Sequence, residues 1–129
     1  MRSAVLLLSF VMLVAACDGE EEPGGPGLGP PVLTVPESAA GTVGDPMMFT
    51  VSAVDPDGDT FSLSAEPVLT SADLKAGARP GTVSVNQSRS EIWFTPSADD
   101  VPERYIEVTA RDVRGQSSSV LVPVMVSDR

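Results

Sequence analysis

Histidine is absent from the chain and cysteine occurs once. Without imidazole there is no Ser-His-Asp or Cys-His nucleophile system, no histidine general acid or base, and no histidine-containing zinc site. One cysteine forms neither an internal disulfide nor a cysteine-rich metal cluster. Basic residues are also scarce, 8 Lys and Arg against 18 Asp and Glu in 129 residues, which gives a net charge of −10. Such a chain repels phosphate backbones and anionic head groups, so nucleic acid is excluded as a partner. What is plentiful is carboxylate, glycine and proline. That inventory favours a non-catalytic binding module over an enzyme.

Residues 1–16 hold one basic residue, Arg2, and then an apolar run of 13 residues from Ala4 to Ala16, interrupted only by Ser9. A membrane-spanning helix needs about 20 apolar residues, so the run reads as a signal peptide. It ends in Val14-Ala15-Ala16-Cys17, which resembles the lipobox of bacterial lipoproteins: an aliphatic residue, two small residues and an obligatory cysteine. That resemblance implies diacylglyceryl transfer to the Cys17 thiol, cleavage before it and acylation of the new terminus (palmitate), hence a membrane anchor in the bacterial cell envelope. The other reading is an ordinary secretory signal that leaves Cys17 as a free thiol.

Residues 17–31 read as a tether. Between Asp18 and Pro31 lie five glycines, four prolines, four acidic residues and one apolar residue, Leu28. Such a stretch has nothing to bury against the entropy of ordering it. Proline content and the like charges of Glu20, Glu21 and Glu22 would keep it extended, spanning roughly 40 Å.

Residues 32–129 form one candidate domain, and its apolar residues alternate with polar ones at period 2, the signature of strands. Seven runs stand out: Val32 to Val35, Met47 to Val54, Thr60 to Ala65, Thr82 to Val85, Glu91 to Thr95, Tyr105 to Arg111 and Ser119 to Val126. Phe49, Val51 and Ala53 share a face, as do Ile106, Val108 and Ala110, and also Val120, Val122, Val124 and Val126. Phe61 with Leu63 and Ile92 with Phe94 supply the bulkier core. Turn signals at Gly44-Asp45-Pro46, Asp57-Gly58, Arg79-Pro80-Gly81 and Arg114-Gly115 separate the runs at the spacing of an all-β sandwich. Pro123 lacks a ladder donor, which predicts a sheet edge or a bulge there. The stretch from Glu66 to Arg79 reads as loop, with at most one helical turn at Ser71 to Ala76 capped by Ser71.

The densest set of ligand atoms is Asp55-Pro56-Asp57-Gly58-Asp59, three carboxylates spaced by two around a turn. Calcium takes about six to eight oxygens and tolerates irregular loop geometry, whereas magnesium demands near-octahedral order. Counting from Asp55 puts Glu66 at the twelfth position of an EF-hand loop, but Thr60 stands where that loop needs glycine, and the flanks are strands. Two readings of the turn stay open: a calcium site, or a solvated hairpin turn shaped by Asp57-Gly58.

Here the sequence resembles a known family. The run Phe49-Thr50-Val51-Ser52-Ala53-Val54-Asp55-Pro56-Asp57-Gly58-Asp59, the corner Ile92-Trp93-Phe94-Thr95-Pro96, and Tyr105-Ile106-Glu107-Val108-Thr109-Ala110-Arg111-Asp112 followed by Gly115 are similar to bacterial cadherin-like and dystroglycan-type immunoglobulin-like domains. The resemblance implies a single immunoglobulin-like (cadherin-like) sandwich and a calcium site at one pole, with Asp55, Asp57 and Asp112 as ligands, Asp59 beside them, and Glu37 joining from the first connection. The inter-domain D-x-N-D-N linker of cadherins is missing, so calcium would not rigidify a string of repeats here.

The resulting expectation is a membrane-anchored lipoprotein, periplasmic or surface-exposed, that displays a binding or adhesion module for an envelope protein, a surface protein or a glycan. One alternative is a carbohydrate-binding accessory module, with Trp93 and Tyr105 as its exposed aromatics; another is a structural subunit of an envelope complex. An enzyme would have to use Asp99 and Asp100 with Glu103, carboxylates that diverge in an extended segment and read better as a solvated turn.

Overall fold

The computed structural model describes residues 29–128. Cys17, the signal segment and the tether as far as Leu28 lie outside the described residues. Nine strands and one short helix follow one another: β1 Val32–Thr34, β2 Ala39–Thr42, β3 Met47–Thr50, β4 Ser52–Val54, β5 Phe61–Pro67, α1 Ser71–Ala76, β6 Thr82–Asn86, β7 Glu91–Thr95, β8 Glu103–Asp112 and β9 Ser117–Ser127. A four-stranded sheet in the order β2-β9-β8-β5 faces a three-stranded sheet in the order β3-β7-β6, and β1 and β4 form a separate ribbon. Among the described residues no helix is long and apolar enough to cross a membrane.

The alternation read from the sequence sets which side of each strand is buried. Ile92, Phe94, Ile106, Val108, Ala110, Val122 and Val124 have no exposed surface, and Phe49, Val51, Leu63 and Val126 complete the core between the sheets. Each large apolar side chain buried this way contributes about 1.5–3 kcal/mol.

Three expectations change. The run from Met47 to Val54 is two strands rather than one: β3 pairs with β7, and after the buried Val51 the chain crosses over so that β4 pairs with β1. The strand β2 lies in a segment with little β-branched character, Ala39-Ala40-Gly41-Thr42, and is held as a parallel partner of β9 from Val124↔Ala39 to Ser127↔Thr42. The supposed loop carries α1, whose cap is Thr70 rather than Ser71. The Thr70 hydroxyl accepts from the Asp73 N–H at 3.0 Å while the Asp73 carboxylate accepts from the Thr70 N–H at 2.8 Å, a reciprocal capping box. Pro123 falls where β2 has not yet begun to pair, so no ladder partner lies on that side of β9.

The two ends of the sandwich are chemically distinct. β8 runs from Arg104 at one pole to Asp112 at the other, β9 returns from the Asp112 end, and Val32↔Val54 pairing brings the chain into the domain beside Asp55. Packing starts as early as Pro31, which is fully buried and whose carbonyl accepts from the Ser118 hydroxyl at 2.6 Å.

Candidate metal site

Two turns with the same sequence logic meet at one pole. Ala53-Val54-Asp55-Pro56-Asp57-Gly58 and Ala110-Arg111-Asp112-Val113-Arg114-Gly115 both fit A-x-D-x-x-G. In each, the aspartate ends an inward-facing row, Phe49-Val51-Ala53-Asp55 on one side and Ile106-Val108-Ala110-Asp112 on the other, so alternation carries it inward. In each, one carboxylate oxygen accepts from the N–H two residues on: Asp57 to Asp55 Oδ1 at 2.8 Å, and Arg114 to Asp112 Oδ1 at 2.9 Å. The glycine N–H closes the turn on the aspartate carbonyl, at 2.9 Å for Gly58 and 3.1 Å for Gly115. Both glycines have positive φ, +74° and +88°, a conformation that costs an L residue strain. Asp112 Oδ1 accepts a second bond, from the Gln116 N–H at 2.9 Å.

The other carboxylate oxygens are left over. Oδ2 of Asp55, Asp57, Asp59 and Asp112 is in each case buried without a hydrogen-bond partner. Asp55 is 7% exposed and Asp112 5%. Ligand oxygens of Asp55, Asp57 and Asp59 lie within 4.8 Å of one another. Asp112 stands outside that radius but acts on it electrostatically. Burial pushes the Asp57 carboxyl above its ordinary value; Arg114 pulls it back, and the charges of Asp55, Asp59 and Asp112 push it up again. Buried carboxylates without donors are costly, and a cation is the partner that relieves several of them together. The donor set is all oxygen and the frame is loop, which suits calcium. Of the five candidate ligands the structure brings Asp55, Asp57 and Asp59 together, with Asp112 outside their radius but near enough to act on Asp57 by charge. Glu37 is exposed in the connection between β1 and β2 and is not in the group of three meeting carboxylates.

The opposite pole holds a feature that composition did not reveal. Arg104 is 4% exposed, its Nε donates to Asp100 Oδ1 at 2.6 Å and its Nη1 to Asp73 Oδ2 at 2.7 Å. The remaining donors reach the carbonyls of Val68 at 2.9 Å and Asp99 at 3.0 Å. Burial by itself lowers the guanidinium pKa, but bonds to Asp100 and Asp73 outweigh it and hold the group above its ordinary value. The Thr70 N–H, then Arg104, draws Asp73 down to about 2. Asp100 also accepts from the N–H groups of Gly81 and Ser97, each at 2.8 Å, and Asp99 from the Arg79 N–H at 2.8 Å. The Asp99-Asp100 pair is therefore no solvated turn: Asp100 is fully buried, and both carboxylates fix backbone. The signal for Arg104 was its place two residues before Ile106 on the inward row.

Trp93 and Tyr105 are exposed, as their faces predicted, but Trp93 points outward from the β3-β7-β6 sheet and Tyr105 from the β2-β9-β8-β5 sheet. On opposite outer faces they build no common platform, which removes the feature on which the carbohydrate-binding alternative stood.

A β-sandwich with paired Asp turns at the pole where the chain enters defines an immunoglobulin-like domain of the cadherin-like kind. The chain belongs to the bacterial Ig domain family, whose pattern matches residues 29–125. No curated protein matches it. Among solved structures it is similar to a nucleoside hydrolase-related hypothetical protein from Saccharophagus degradans associated with carbohydrate metabolism, at 20% identity and a TM-score of 0.56, over 76% of this chain and 26% of that one. It is also similar to Drosophila N-cadherin EC1-4, at 13% identity and a TM-score of 0.57, over 76% of this chain and 24% of that one. The SrpA adhesin of Streptococcus sanguinis aligns at 17% identity and a TM-score of 0.54, over 78% of this chain and 58% of that one. These likenesses describe the fold, and the chain spans about a quarter of the first two.

Proposed function

We propose that this chain is a non-catalytic binding or adhesion module, stabilised by a calcium ion held by Asp55, Asp57, Asp59 and Asp112, and displayed from the cell envelope by a lipid anchor on Cys17. Its partner is an envelope or surface protein rather than a glycan, since Trp93 and Tyr105 form no common platform. The calcium reading rests on one observation: four carboxylates present buried oxygens without a hydrogen-bond partner at one pole. Asp55 and Asp112 spend their first oxygen on the turn and hold the second for a ligand. The surface role draws support from the family, from the envelope-type signal sequence, and from the likeness in fold to an adhesin and to N-cadherin.

A loop site of this type in extracellular modules binds calcium at about 10⁻⁴–10⁻³ M, so the titration belongs in the millimolar range. Calorimetry and thermal unfolding of the full chain in detergent are expected to show binding heat and a rise in melting temperature with calcium, and a smaller rise with magnesium. At a hundredfold excess over Kd the gain is about 2.7 kcal/mol. Asp112→Asn should abolish the heat without changing the fold, since its amide oxygen still serves the turn. The absence of both binding heat and a melting shift in wild type at millimolar calcium would overturn the site.

A further inference from the structure

The cluster has a resident positive charge. Arg114 Nη1 lies 3.4 Å from Asp57 Oδ2, and its Nε lies 3.4 Å from Asp59 Oδ2. Those two acceptors are among the four oxygens without a hydrogen bond, so the guanidinium is near enough for charge but does not satisfy them. A formed charge-assisted bond is shorter, about 2.7–2.9 Å. Arg104 at the other pole supplies the internal contrast, with 2.6 and 2.7 Å bonds and almost no exposure. Arg114 is 49% exposed and has an open route to solvent. Its backbone, not its side chain, builds the turn: the Arg114 N–H bonds Asp112 and the Gly115 N–H closes the loop. Aligning the two A-x-D-x-x-G turns places Arg114 at the position of Asp57, so one turn contributes a carboxylate where the other contributes a cation.

We propose that Arg114 is a tethered counter-ion for the carboxylate cluster, displaced into solvent when a divalent cation enters, and that it thereby weakens and tunes the affinity of the site. This rests on the calcium reading above. The guanidinium offers one positive charge at arm's length to Asp57 and Asp59, whereas calcium would offer two charges in direct contact with the same oxygens, and both cannot occupy Asp57 Oδ2 and Asp59 Oδ2.

The test uses the full chain in detergent, titrated with calcium as wild type, Arg114→Gln and Arg114→Lys. Removing one screened charge from a half-exposed site should tighten calcium binding about three- to tenfold in Arg114→Gln. Arg114→Lys, which keeps the charge, should stay near wild type. If Arg114→Gln fails to fold, Arg114→Met removes the same charge. Displacement itself is read from the arginine Nε–H resonances: in wild type the Arg114 signal should move on saturation with calcium while the Arg104 signal stays in place. Equal affinity in wild type and Arg114→Gln, or an Arg114 signal unmoved at saturation, overturns the proposal and leaves the calcium site standing. Silence of wild type and variants alike overturns both, and is recognised because wild type itself binds nothing.

Discussion

Breaking a buried ion pair from one side leaves the other charge without a partner, and that penalty usually exceeds what the pair contributed by forming. Arg104 is the residue in this domain where the penalty is concentrated. Its guanidinium touches two carboxylates and two carbonyls, and Asp100, fully buried, has no other cation partner among the described residues. Arg104→Met keeps most of the stem that packs at the base of β8 but strands Asp100. Unfolding by urea should show a loss of about 3–5 kcal/mol, a large part of the stability of a domain this size. A loss under about 1 kcal/mol would mean that water reaches Asp100 and that the pair counts as a surface bridge. Lysine should not rescue it, because a single ammonium cannot spread over four acceptors as the planar fork does.

At the scale of elements, α1 is held to the sandwich largely through Asp73, which caps the helix and accepts from Arg104 in the same carboxylate. Its folded pKa of about 2 lies below the ordinary 3.8, so the stability it adds is present in full above 3.8 and is lost as pH falls through about 2. Acid titration of wild type should therefore show stability falling across that window, and Asp73→Asn should flatten this part of the curve. An unchanged slope in the variant would show that the helix is held by other contacts. A second device protects an edge. The Gln87 side chain accepts from the Leu63 N–H at 2.8 Å and donates to the Phe61 carbonyl at 3.4 Å, standing in for a strand beside β5. Most strands were legible because period-2 rows such as Ile106-Val108-Ala110 admit one orientation only. β2 was not, since Ala39-Ala40-Gly41-Thr42 has little intrinsic strand preference and is recruited by β9 from far along the chain. The acid cluster was legible as a sequence; that Asp112 joins it came from resemblance, and that Arg114 leans into it depends on a contact between loops that spacing does not encode.

For the molecule as a whole, the position of the chain entry decides which end faces the anchor. Val32 pairs with Val54, next to Asp55, so the chain enters the domain at the carboxylate pole, while β9 runs toward the Arg104 pole. Under the proposed anchoring, the acid pole lies on the membrane side. In sequence, Asp18, Glu20, Glu21 and Glu22 precede that entry. Carboxylates at that pole and in the segment before it gain nothing from anionic lipid, so under the proposed processing charge would not draw this end of the protein to the bilayer. Attachment then depends on acyl chains, at about 0.8 kcal/mol for each buried methylene. Cys17→Ser, expressed behind an ordinary secretory signal in place of residues 1–16 so that no apolar leader is retained, removes the acceptor thiol, and the chain should lose its acyl mass and move into the soluble fraction. In the absence of calcium the release should be complete at both low and high salt, because there is no charge attraction for salt to screen. A Cys17→Ser chain that stays with the membrane, or keeps an acyl mass shift, would show that something other than this thiol holds the protein in place.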